Sequence, residues 1–329
     1  MTPAGPASTA RPDGRHAAPP DEVVVALDVG GTSIKAALVG RGDRAVRHPR
    51  RQITGAARGP AAVIDTICDL AGRLADTARA DGLTPVAVGI AVPGVVDETA
   101  GVAVWSANLG LRDVPLRDLV AARTGLPTAL GHDVRAGGVA EARVGAGQGS
   151  RHVLFVAIGT GIAAAAVVDG ASFAGAHGAA GELGHVVVRP GGARCGCRQS
   201  GCLEAVASAA AVARRYAEQS GRTPDGAAEV ARLAAAGDPL AAQVWRETVD
   251  ALADGLLIGQ AMFDPAVVVL GGGLAEAGDQ LLGPLDETLR QRVTFHRLPR
   301  LVAAALGDEA GCVGAALLAS DLVERGTRC

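Results

Sequence analysis

Aromatic residues are nearly missing from this chain of 329 residues, where phenylalanine, tryptophan and tyrosine together make up 2%. A core must therefore be assembled from alanine, valine, leucine and isoleucine, within an apolar content of 49%. Lysine is scarcer still: Lys35 is the only one, and the other basic residues are arginines. The formal charge of −3 leaves no electrostatic footing for nucleic acid or for an anionic membrane. Long apolar runs are also lacking. The longest uncharged stretch, residues 153–168, is too short and too broken by glycine to span a bilayer. Residues 1–20 carry proline, alanine and glycine with Arg11 and Arg15 and no apolar segment, so they read as a disordered leader and not as an export signal. Six cysteines without such a signal suit a reducing cytoplasm, where clustered thiols bind metal more often than they crosslink. The length accommodates two domains.

Half of those cysteines fall in one stretch, residues 181–204, GELGHVVVRPGGARCGCRQSGCLE. His185 precedes Cys195, Cys197 and Cys202, and Arg189-Pro190-Gly191-Gly192 supplies a bend that returns the histidine toward the thiols. One imidazole and three thiolates form a closed set suited to structural zinc. Cys195 and Cys197 are too close in sequence for easy pairing, and a disulfide would orphan the third thiol. Glu182 and Glu204 bracket the set, so folding around a metal brings two carboxylates and an edge of His185 to one place.

Elsewhere the pattern alternates strands and helices, which is α/β in class. Residues 23–29 and 34–39 read as a hairpin around Gly30-Gly31-Thr32, with Asp28 just before the turn. Residues 156–168 repeat that plan around Gly159-Thr160-Gly161. One reading is a pair of ordinary glycine hairpins. The other is two related domains whose turn N–H groups approach phosphate, with Asp28 holding a magnesium-bound phosphate. Helices are expected over 61–80, 116–123, 134–144, 204–218, 227–236, 240–262, from about 274, and over 310–323. Strands are expected over 86–92, 127–131 and 266–270. The 127–131 strand delivers His132-Asp133 to the start of a helix, where Asp133 is either an N-cap or a reacting carboxylate. Gly271-Gly272-Gly273 is either a bare turn or a seat for a flat ligand.

Set in order, these motifs resemble the ROK family of repressors, open reading frames and sugar kinases, from about Val23 to the final helix. The resemblance implies an actin-like, ribonuclease-H-like pair of α/β domains with a zinc-binding loop. It divides the chain into the leader, a small domain over 21–130, and a larger one over 131–307 that carries the zinc. A helix over 308–325 packs back onto the small domain. Asp28-Val29-Gly30-Gly31-Thr32 is similar to the first phosphate motif and Gly159-Thr160-Gly161-Ile162 to the second. Gly271-Gly272-Gly273-Leu274 is similar to the adenosine-side turn, and Lys35 goes with the nucleotide. Gly181-Glu182-Leu183-Gly184-His185 with Cys195, Cys197 and Gly201-Cys202-Leu203-Glu204 is the most specific match.

By that resemblance Asp133 is the general base that takes the proton from a sugar 6-hydroxyl. Glu182, His185, Glu204, Asn108 and His132 bind the sugar. His185 also ligates structural Zn²⁺, and Mg²⁺ arrives with ATP. A homodimer and a cytoplasmic location are implied as well. Two departures stand out. Ala163, Ala164, Ala165 and Ala166 follow the second phosphate turn where the family has glycines, and are expected to narrow the phosphate channel. His132 occupies the usual asparagine position. A neutral imidazole can accept a hydrogen bond from an ammonium group, so His132 is compatible with an amino sugar such as kanosamine as well as glucose. Inorganic polyphosphate as donor and N-acylhexosamines as acceptors stay open. A repressor needs a helix-turn-helix for which the twenty residues before the first strand leave no room, and a mere sugar binder would not need a base.

Overall fold

The computed structural model describes residues 19–326. All but the last two residues of the expected leader lie outside them. β1 (Glu22–Val29) and β2 (Ser33–Gly40) form the first hairpin, with Asp28 opposite Lys35. β3 (Val46–Ile53) pairs antiparallel with β2. Its interior, RHPRRQ, is charged because β3 is an edge strand, and that hid it from a reading of apolar pattern. α1 (Pro60–Ala80) begins on a proline, whose missing N–H would have no helical partner at that position. It buries Val63, Ile67, Leu70 and Leu74 along one stripe. β4 (Thr84–Val92) follows, then a small meander of β5 (Val95–Asp97), β6 (Val102–Ser106) and β7 (Leu111–Val114). α2 (Leu116–Thr124) ends at left-handed Gly125, and β8 (Thr128–His132) completes a sheet of order β3-β2-β1-β4-β8.

α3 (Asp133–Val144) crosses to the second half of the molecule. β9 (His152–Ile158), β10 (Ile162–Val168) and β11 (Ala171–Ser172) then repeat the hairpin plan. After the cysteine loop come α4 (Leu203–Ala207), α5 (Ala209–Ser220), α6 (Gly226–Ala235) and α7 (Pro239–Phe263). The expected single helix over 204–218 is broken at Ser208, whose hydroxyl accepts the Ala211 N–H at 3.1 Å and caps α5. β12 (Val267–Gly271) leads to a short 3₁₀ turn over Ala275–Ala277, and α8 (Asp279–Arg292) starts only after left-handed Gly278. The helix expected from 274 therefore begins one turn later. β13 (Arg300–Ala303) and α9 (Ala310–Gly326) finish the chain. The second sheet has the order β11-β10-β9-β12-β13. In both large sheets an antiparallel hairpin adjoins two parallel strands, so one topology is used twice.

Period-two alternation divides each first strand between two layers. Val23, Val25, Leu27 and Val29 of β1 face the layer of α1 and α2, whereas Val24 and Ala26 face α9. Small residues dominate the α9 side because that helix lies almost on the strands: a Cβ at Gly89 of β4 would come within 1.8 Å of the Ala315 carbonyl oxygen. In the second sheet Leu154, Val156 and Ile158 face α4–α8, and Val153 and Phe155 pack with Val139 of α3. Each buried valine or leucine contributes about 1.5–3 kcal/mol, so number offsets the shortage of aromatic rings. Among the described residues no helix is long and apolar enough to cross a membrane.

Candidate active site

The two parallel strands of the first sheet end beside the place where α3 crosses over. His132 is the last residue of β8 and the N-cap of α3, with its Nδ1 accepting the Arg135 backbone N–H at 3.4 Å. The cap is thus the histidine, and Asp133 is the first helical residue. The Asp133 carboxylate accepts the N–H of Val134 at 2.7 Å and keeps part of its surface exposed. Burial pushes its pKa up, opposed by the Val134 N–H and the Arg135 charge.

His132 is buried, and burial together with the Arg135 charge pushes its pKa down to about 4. It is neutral near pH 7, and its Nδ1 serves the cap. The proton therefore sits on Nε2, 3.4 Å from Asp133 Oδ1. In that tautomer the edge facing Asp133 is a donor.

Two strands away from β8 in the same sheet, Asp28 is the penultimate residue of β1. Burial raises its pKa to about 6, with Lys35 and Arg51 lowering it and Asp133 and Asp308 raising it. Gly311 of α9 gives it room, because a Cβ there would meet the carboxylate at 2.5 Å. The first glycine turn closes through the Gly30 N–H to the Ser33 carbonyl at 3.0 Å. Thr32 is exposed at its tip, and Asn108 packs against Gly31. Thr54, which the sequence reading missed, locks the turn by donating its hydroxyl to the Gly30 carbonyl at 2.6 Å.

Lys35 is not free beside Asp28. Its Nζ lies 3.9 Å from Asp28 Oδ2 and donates to both the backbone carbonyl, at 2.9 Å, and the carboxylate of Asp308. Arg51 of β3 holds the other oxygen of Asp308 at 2.5 Å. Asp308, in the link between β13 and α9, also borders a cavity of about 320 Å³ formed with Gly271, Gly272 and Gly273. Gly272 requires its positive φ of 82°, since a Cβ would lie 2.6 Å from the Ile158 carbonyl oxygen. Neither Arg51 nor Asp308 carries a local sequence signal, because the pair forms between segments more than 250 residues apart.

The second turn is joined to the cysteine loop by Glu204. Its carboxylate accepts the Ile162 N–H at 3.0 Å and fills the space over Gly161, where a Cβ would meet it at 2.5 Å. Its other oxygen is 3.9 Å from Cys195 Sγ. Gly159 lies partly open and Thr160 is exposed. Of the four alanines after the turn, Ala164, Ala165 and Ala166 are buried in the cores on either side of β10, so they do not narrow a phosphate channel. What their small size permits is close packing: Gly181 and Gly184 lie against the Ala164 and Ile162 carbonyls, where a Cβ would come to 2.0 and 2.1 Å.

That packing lays Glu182 and His185 beside the glycine turn. His185 directs Nδ1 to Cys195 Sγ at 3.6 Å and Nε2 toward Glu182 at 3.8 Å. The donor atoms of His185, Cys195, Cys197 and Cys202 all lie within 4.8 Å of one another, and the Cys197 and Cys202 sulfurs are 3.6 Å apart. A tetrahedral ion with metal–sulfur bonds of about 2.3 Å separates its sulfurs by roughly 3.8 Å, so the set fits a four-coordinate metal. The thiols also suit a cation: burial and the neighbouring sulfurs push Cys202 up to about 12, and a positive ion would favour the ionised forms of all three.

Glycine turns on two like sheets, carboxylates at the strand ends of the first and a Cys₃His loop beside the second have a counterpart among known proteins. The ROK family model matches residues 24–322. The chain belongs to the ROK family. It is 33% identical over 324 residues to the glucokinase of Thermotoga maritima, covering 91% of this chain and 98% of that one. Among solved structures, the ROK hexokinase from Thermus thermophilus matches with a TM-score of 0.81 and 36% identity, covering 92% and 100% of the two chains. A ROK family glucokinase from Streptomyces griseus, in complex with glucose and AMPPNP, matches with a TM-score of 0.75 and 31% identity over 91% and 99%. The repeated sheets are the actin-like, ribonuclease-H-like fold of these ROK sugar kinases.

Proposed function

We propose that this protein transfers the γ-phosphoryl group of ATP to the 6-hydroxyl of glucose or a close glucose analogue. The observation that carries the reading is the position of the His132–Asp133 pair between two sets of charges. Asp28, on the phosphate side, acts electrostatically on Asp133, and Glu182, on the loop beside the metal cluster, acts on His132. A hydroxyl placed at Asp133 therefore lies between a sugar-binding wall and a phosphate-binding wall. Asp133 takes the hydroxyl proton as the new O–P bond forms, and a carboxylate suffices because the proton becomes acidic only in that transition state.

Glu182, His185 Nε2 and Glu204 face the sugar, Asn108 sits where sugar meets phosphate, and Gly31, Thr32, Thr160 and Gly161 in the two turns donate N–H groups to the phosphate chain. The adenosine lies in the cavity over Gly271–Gly273. Asp28 would hold the Mg²⁺ that arrives with ATP, which would supply neutralising charge for the transferring group. Zn²⁺ held by His185, Cys195, Cys197 and Cys202 fixes the loop that carries Glu182 and Glu204. Glucose is the acceptor favoured here, because His132 offers a hydroxyl-compatible donor. The assembly is a cytoplasmic homodimer, with lobes hinged near residues 130 and 307. An ADP-release assay over glucose, mannose, 2-amino and 3-amino glucose and N-acetylhexosamines tests the reading. Glucose should give the highest kcat/KM, and an absence of hexose-dependent ADP release throughout the panel would overturn it.

A further inference from the structure

Arg135 stands where a helix least favours a cation. It occupies the third position of α3, and positive charge in a first turn opposes the helix dipole. Its side chain is also buried, at 2% exposure. The helix itself gives no reason for an arginine there, but its partners do. Nε donates to Glu98 Oε1 at 2.9 Å, Nη2 lies 2.8 Å from the same oxygen, and Nη1 donates to the Gly178 carbonyl at 2.9 Å. Glu98 follows β5 in the first lobe, and its Oε1 also accepts the backbone N–H of His132 at 3.3 Å. Gly178 lies in the loop that runs to Glu182 in the second lobe. That loop rests directly on β5, since a Cβ at Gly178 would meet the Val96 carbonyl oxygen at 2.6 Å.

We propose that Arg135 is a positioning residue for phosphoryl transfer, joining the turn after β5, the start of α3 and the loop before Glu182, and so holding Asp133 in place. The proposal rests on the reading of Asp133 as general base. The groups that face the His132–Asp133 pair are few. Arg135 comes from α3 itself, Asp28 from β1 with Lys35 beside it on β2, Glu98 from the turn after β5, and Glu182 from the metal-site loop. Arg135 is the cation among them that both lowers Asp133 and keeps His132 neutral, whereas Glu98 and Glu182 pull His132 the other way. A guanidinium is required because two nitrogens must reach segments on opposite lobes at once, which a single ammonium does not do.

The test is the pH dependence of kcat/KM for hexose in wild type, Arg135→Lys, Arg135→Met, Glu98→Gln and Asp133→Asn, with thermal melts to verify folding. Asp133 works ionised, so activity falls as pH drops through its pKa. Removing the Arg135 charge should move that acid limb to higher pH by about half a unit or more. Removing the Glu98 charge leaves Arg135 uncompensated and should move the limb the other way. Arg135→Lys should keep the limb near its wild-type position while raising the sugar KM by about fivefold or more, as the bridge between lobes is lost. Opposite shifts in the methionine and glutamine variants support the proposal. Coincident limbs and unchanged sugar KM in folded variants overturn it, and if Arg135→Met does not fold, Glu98→Gln and Arg135→Lys decide alone. Wild-type turnover in Asp133→Asn would remove the base itself, which is separate from a failure confined to Arg135 and Glu98.

Discussion

At the start of α3, neighbouring residues divide the work. His132 caps the helix through Nδ1, and Asp133 keeps part of its carboxylate exposed. Asparagine caps as well as histidine does, through its amide oxygen. His132→Asn should therefore leave the preference for glucose over its 2-amino and 3-amino analogues within about twofold, measured as the ratio of kcat/KM values. A shift of about tenfold or more would mark His132 as the residue that chooses the sugar. Asp28 supports a second expectation. Its pKa is raised from 3.8 to about 6, so the folded protein is burdened by its charge above pH 6 and relieved as pH falls toward 4. Asp28→Asn should then be more stable than wild type by about 1–3 kcal/mol at pH 8, with the difference vanishing near pH 4, in denaturant melts without nucleotide. These two aspartates were legible because each sits at a strand end beside a turn or helix start. Arg135, Glu98, Arg51 and Asp308 were not, since each acquires meaning only from a partner brought over by the fold.

The cysteine loop was the element most readable from sequence, because all its metal-binding side chains fall within eighteen consecutive positions. Its spacing alone gave the donor set, and the structure adds that Glu204 connects that set to the second glycine turn. Cys197→Ser should lower zinc content by elemental analysis and lower melting temperature and kcat together, because the metal holds a substrate-binding wall. Fully active, undenatured wild type without zinc would contradict this. Other elements were hidden for physical reasons. Edge strand β3 is charged, and the glycine-rich link before α8 forms a 3₁₀ turn in place of a helix. A third tie is Glu141 of α3, wholly buried, which accepts the N–H groups of Ala146, Ala305 and Leu306 at 2.8–3.1 Å. It fixes the strand-to-helix link that carries Asp308. Glu141→Gln replaces one acceptor oxygen by a donor and should destabilise by about 1–3 kcal/mol in chemical denaturation.

At the scale of the whole molecule, one sheet topology occurs twice and the chain crosses between its copies at α3 and again before α9. Asp133 opens the first crossing and Asp308 stands in the second. The paired Gly-Thr turns already indicated the duplication in sequence. The parallel additions of β4 and β8 on one side, and β12 and β13 on the other, needed the fold, because buried parallel strands carry no alternation to read. The central claim is that this architecture places Asp133 as the base for phosphoryl transfer from ATP to a hexose. The most direct measurement is steady-state release of ADP and hexose 6-phosphate at saturating ATP, Mg²⁺ and glucose, in wild type and Asp133→Asn, with glucose affinity measured by calorimetry. The account expects equal yields of the two products in wild type and, in the variant, kcat lower by about two to four orders of magnitude with glucose affinity within about threefold. An Asp133→Asn enzyme turning over at close to the wild-type rate would contradict it.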